Sequence, residues 1–157
     1  MVIRFGPIPF AFPNTRDRKR FVPFHDLHHV LTGYATDLAG EAEIGAWELA
    51  SGCLASRAAT VLNLQVMGFV LPRHWGRVYR AFLRGRHSQN FYQAGRRCDD
   101  ALLKRTIGEA RRELGLDRVQ PAPTPLDRRA FARWAALALV AVWGPLLPLG
   151  WLAWRWS

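Results

Sequence analysis

The sequence predicts an all-α fold, a small helical bundle with a C-terminal transmembrane helix. Three observations carry the prediction. Apolar residues recur at helical spacing between about Leu38 and Leu114, and no stretch alternates apolar and polar residues as a half-buried strand would. The run from Trp134 to Trp154 holds no charge and is close to the roughly 20 residues that a helix needs to cross a bilayer.

Taken in order, residues 1–24 read as an extended basic arm, interrupted by prolines and ending in Arg16-Asp17-Arg18-Lys19-Arg20. A helical domain then spans residues 25–119. Its first helix runs from His25 to about Leu31 and stops at Gly33, and Asp37 is placed to cap a second helix from Leu38 to Ser51. A third helix, about Ala55 to Val70, is nearly uncharged and is expected at the buried centre, with Pro72 ending it. A fourth, about Arg73 to Leu83, sets Trp75, Val78, Tyr79 and Phe82 on one side. Arg73, Arg77, Arg80 and Arg84 line the other, so this helix is expected to lie against anionic headgroups. A longer helix from Ser88 or Asn90 to Leu114 is closed by Gly115. Proline at every second position from Pro121 to Pro125 marks residues 120–130 as a spacer, and residues 131–157 form the membrane anchor.

Charge is distributed unevenly, which the mean hydropathy of −0.07 conceals. Residues 1–24 and 72–133 are strongly basic and residues 25–71 are acidic, within a net charge of +10. An acidic middle between basic flanks fits a site segment beside an anionic surface better than it fits nucleic acid, for which the chain shows no base-reading module. Cys53 and Cys98 stand in no metal-binding or redox spacing. The N-terminus lacks the apolar core of a secretory signal. Trp134, Trp143, Trp151 and Trp154 punctuate the apolar run, mostly at its ends, where indole suits a membrane interface. Arg128, Arg129 and Arg133 precede the run while Arg155 alone follows it. The positive-inside rule then leaves the domain on the cytoplasmic side of the inner membrane, with a single span.

The chemistry concentrates in His25-Asp26-Leu27-His28-His29. On a helix His29 lies about 40° from His25 and Asp26 about 100° from it, so the three share a face, while His28 falls on the other side of His25 and is expected either behind the ligands or exposed. Imidazole and carboxylate suit first-row metals, and Glu41 can supply a fourth donor if the next helix packs antiparallel. A zincin would carry Glu where Asp26 stands, and a His-Asp phosphohydrolase needs a histidine upstream, of which residues 1–24 hold none.

The continuous text His25-Asp26-Leu27-His28-His29-Val30-Leu31-Thr32-Gly33-Tyr34, then eleven residues between His29 and Glu41, resembles the coenzyme Q biosynthesis protein four family. The likeness extends more loosely over residues 17–119. It implies an all-helical fold in which His25, Asp26, His29 and Glu41 bind one divalent metal ion, zinc or another first-row metal. It also implies action on a polyprenylated quinone precursor: metal-dependent oxidative decarboxylation and hydroxylation at ring C1, in ubiquinone biosynthesis. The alternative expectation is a non-catalytic accessory or scaffold subunit beside other subunits of a quinone-using membrane complex.

Overall fold

The computed structural model describes residues 2–5, 8–11, 16–92, 96–146 and 155. Helices carry the fold: α1 (Arg16–Thr32), α2 (Leu38–Ser51), α3 (Arg57–Arg86), α4 (Asp100–Leu103), α5 (Ile107–Leu114) and α6 (Pro125–Trp143), with a 3-10 turn at Gly144–Leu146. Inside the arm that reads as extended, β1 (Val2–Phe5) pairs antiparallel with β2 (Ile8–Ala11). Four-residue strands are too short for alternation to register in the sequence. Pro9 is tolerated because both strands of a two-stranded ribbon are edges.

α1 begins at Arg16, well before His25, and passes through Pro23. The exposed proline costs the helix one backbone bond, to the carbonyl of Lys19. Phe21, Phe24, His28 and Leu31 compensate by forming one buried stripe along α1. The helix stops at Gly33, whose φ of 76° only glycine adopts without strain.

The centre of the molecule is α2, not the helix that follows it. Asp37 caps α2 by accepting from the Gly40 amide at 2.7 Å, and Gly40, Ala42, Ile44, Gly45, Ala46, Trp47, Glu48 and Leu49 are all buried. Its small residues let neighbours close in from several sides. A Cβ on Gly45 would stand 3.3 Å from the Asn63 Cα, and one on Gly85 only 2.4 Å from the Trp47 carbonyl oxygen. Those two approaches come from opposite ends of α3, so both parts of that helix pack on α2.

They can do so because α3 bends instead of ending at Pro72. Its kink is marked by His74 at φ −128°, ψ 32°. Proline at 72 has no N–H for the Gly68 carbonyl, and the Trp143 indole N–H donates to that oxygen at 3.1 Å in its place. The group that Pro72 orphans is satisfied from α6.

α6 therefore belongs to the helical body. It starts at Pro125, inside the segment expected to be a spacer, with a capping box between Thr124 and Asp127. It buries Phe131, Ala135 and Ala138, and Phe131 meets the rings of Trp75, Tyr79 and Phe82. No helix among the described residues is long and apolar enough to cross a membrane, so the expected span does not appear as one helix. Trp134 is half-buried and Trp143 stacks on Phe69, while Trp151 and Trp154 lie outside the described residues.

The long helix expected before Leu114 is instead a loop followed by two short helices. Asp99 caps α4, and Thr106 with Glu109 forms a capping box that opens α5. These local hydrogen bonds favour fresh starts over continuation. Phe91 and Tyr92 are buried from the loop.

Candidate metal centre

α1 brings His25 and His29 one turn apart, and the first turn of α2 brings Glu41 against both. The two Nε2 atoms stand 3.2 Å from each other. A Glu41 oxygen lies 3.3 Å from His25 Nε2, and its other oxygen 3.4 Å from His29 Nε2. Tetrahedral ligands each about 2.05 Å from an ion are separated by about 3.3 Å, so this spacing matches the bite of a small divalent cation.

The bonds on the far side of each ring turn its near nitrogen toward the shared space. His29 Nδ1 lies 3.0 Å from the Tyr34 carbonyl oxygen, which can only accept, so that nitrogen carries the proton. His25 Nδ1 donates to Glu48 Oε1 at 3.0 Å. In the neutral rings both Nε2 lone pairs then point at one another beside a carboxylate. That arrangement calls for a cation between them, a proton or a metal.

His25, His29 and Glu41 form the metal-competent group found among the described residues. Asp26, the remaining member of the expected set, is exposed on α1 and stands outside that group. Three protein donors leave a fourth position, and His25 and Glu41 retain side-chain exposures of 25% and 22%, so that position has a way out to solvent.

Sequence reasoning missed the group behind the ligands. Glu48 is fully buried and accepts from His25 Nδ1, from His28 Nδ1 at 2.8 Å, from the Tyr92 hydroxyl at 3.0 Å and from Asn63 Nδ2 at 2.7 Å. Of the two positions expected for His28, it takes the buried one behind the site, and its Nε2 accepts from the Phe91 amide at 3.0 Å. The available signal was a carboxylate inside the apolar text Ala46-Trp47-Glu48-Leu49-Ala50, two turns beyond Glu41 and on the same face of α2.

Electrostatics follow from this packing. Burial opposes charge on His25, but the Glu48 carboxylate and the bonds to Glu41 and Glu48 outweigh it and push the ring up to about 10. Burial alike opposes charge on Glu41, and the two histidines overcome it and hold the carboxyl down at about 2. His29 is raised, its desolvation outweighed by the bonds to Glu41 and Tyr34, while desolvation dominates at His28 and lowers it. The histidine–carboxylate attraction lies behind both the His25 and the Glu41 shifts, so it stabilises the fold once.

The sign of the pH dependence follows for the metal-free chain. The Glu41 contribution is present above its unfolded value of 4.5 and is lost as pH falls through about 2. That of His25 is complete below its unfolded value of 6.5 and is lost as pH rises through about 10. With chelator present, the urea midpoint should peak between these unfolded values and fall on both sides. A midpoint rising steadily from pH 6.5 to 10 would contradict the pairing.

The arginine stripe is divided. Arg77 pairs with Glu43 through Nε at 3.1 Å and Nη2 at 2.7 Å. Arg84 donates to the Thr32 carbonyl at 2.8 Å, with its guanidinium over the Tyr34 ring. Arg73 and Arg80 are exposed. Half of the expected headgroup stripe thus fastens α3 to α2 and to the end of α1.

Comparison of the chain with protein-family models, with curated proteins and with solved structures found no match.

Proposed function

We propose that this chain is a metal-dependent protein of quinone biology, resembling the coenzyme Q biosynthesis protein four family, that works on a polyprenylated quinone precursor at the inner membrane. The convergence of His25, His29 and Glu41 on one cation-sized space carries the proposal. A first-row divalent ion held there supplies a Lewis-acidic centre with an open position. By resemblance the reaction would replace the ring C1 carboxyl with hydroxyl and release carbon dioxide, a two-electron oxidation in which dioxygen, with water, would be reduced to hydrogen peroxide.

Placement at the bilayer is supported by the exposed apolar side chains Val61 and Phe69 on α3 and Leu137, Val140 and Trp143 on α6. The uncharged sequence continues from Gly144 to Trp154, apolar enough in composition to suit lipid. Exposed Arg73 and Arg80 are available to anionic headgroups.

A second reading, a non-catalytic accessory subunit of a quinone-using membrane complex, draws support from the way α1 and α2 meet. Their backbones approach sparsely, and the histidine–glutamate set is a main link between them, as a structural ion would require. Deleting the gene and measuring quinone intermediates decides. The enzymatic reading requires a C1-carboxylated precursor to accumulate and wild type, but not His29→Ala, to clear it. Normal quinone with a destabilised membrane complex selects the accessory reading, and no change in either overturns both.

A further inference from the structure

Glu48 accepts four hydrogen bonds, the full capacity of a carboxylate. Oε1 accepts from His25, His28 and Tyr92, and Oε2 accepts from Asn63, so α1, α3 and the loop holding Tyr92 converge on one group of α2. Two donors from α1 and one from the loop on Oε1, with one from α3 on Oε2, leave the carboxylate little freedom to turn. His25 is the only one of its partners that is also a member of the metal-competent group.

We propose that Glu48 is a positioning residue for the metal, deepening the metal-site reading on which it rests. Its first effect is on the tautomer. By accepting from Nδ1 of His25 it keeps the proton there and leaves Nε2, 3.2 Å from Nε2 of His29, as the coordinating atom. Its second effect is on charge. Once both rings give their Nε2 lone pairs to an ion, Glu41 and Glu48 carry two negative charges, which a divalent ion neutralises and a monovalent ion does not. The Tyr34 carbonyl plays the tautomer role for His29 without a charge, so the two ligand histidines are held by unlike partners.

The test uses the whole chain with zinc as probe. Wild type is titrated against a competing chelator, and its zinc-loaded form is examined by nitrogen-15 NMR with labelled histidine. The expected spectrum shows His25 protonated at Nδ1 and zinc-bound through Nε2. Glu48→Gln keeps the shape, and its amide can pair with a flipped Asn63. It should bind zinc about 10–100-fold more weakly, although its amide oxygen still accepts from His25 Nδ1. Glu48→Leu, which removes the acceptor as well, should also free His25 from a single tautomer. Circular dichroism of the metal-free proteins separates this from unfolding. If wild type takes up no zinc, the metal reading falls and this inference with it. If wild type binds while Glu48→Gln binds equally well, or the His25 tautomer is unchanged in a folded Glu48→Leu, this inference alone is overturned. Should Glu48→Gln not fold, the wild-type spectrum decides: coordination through Nδ1 of His25, or loss of its proton there, refutes the role.

Discussion

His29→Ala should abolish stoichiometric metal binding and remove the stability that a bound ion confers. In the proposed site the imidazole supplies one of three donors, its Nε2 directed by the bond from Nδ1 to the Tyr34 carbonyl, and no described neighbour replaces it. An ion that binds only the folded form adds about 4 kcal/mol when free metal is roughly a thousand times Kd. The whole of that increment should vanish from the thermal melt, and chelator should no longer shift the variant. Asp26→Asn makes the contrasting case. The exposed Asp26 lies outside the group, so that variant should retain the metal and the chelator-sensitive melt. Loss of metal from Asp26→Asn would show that α1 turns further than described when an ion is bound.

Gly68→Val undoes the packing of α6 on α3. A Cβ at Gly68 would stand 2.1 Å from the Ala138 carbonyl oxygen and 2.6 Å from its carbonyl carbon, with Val142 at 2.9 Å. Backbone cannot yield as a flexible side chain does, so the helices must separate. Doing so exposes Phe131, Ala135 and Ala138 and takes the Trp143 indole from the Gly68 carbonyl. Overpacking costs about 1–3 kcal/mol in ordinary cores, and a backbone clash belongs at or above the top of that range. Gly76→Ala provides the comparison, because the only group near its new Cβ is the mobile end of Arg80 at 3.5 Å. It should leave the melt unchanged or raise it slightly. An unaltered melt for Gly68→Val would mean that α6 is an independent anchor and not part of the bundle.

These two variants mark where the sequence was and was not transparent. The candidate ligands were readable because His25 and His29 are one turn apart and Glu41 opens the next helix behind a visible Asp37 cap, all local relations. Gly33 and Gly115 were equally plain as helix stops. Glu48 was not, since its significance depends on Asn63 and Tyr92, which only tertiary packing brings to it. Pro72 was misleading for a similar reason. Taken locally it ends a helix, whereas the Trp143 indole, far along the chain, satisfies the carbonyl that it orphans. The tail posed the hardest case, because an uncharged run reads alike whether it meets lipid or another helix. Its first half meets α3 through Phe131, Ala135 and Ala138, and Gly68 is the small residue that permits it.

The central claim is that His25, His29 and Glu41 hold one divalent ion, and X-ray absorption on the zinc-loaded chain tests it most directly. The account predicts one zinc per chain with two imidazole nitrogens and carboxylate oxygen at about 2.0–2.1 Å, and loss of that signature in His29→Ala. A chain that retains no zinc after desalting, or zinc whose spectrum lacks imidazole, would contradict it.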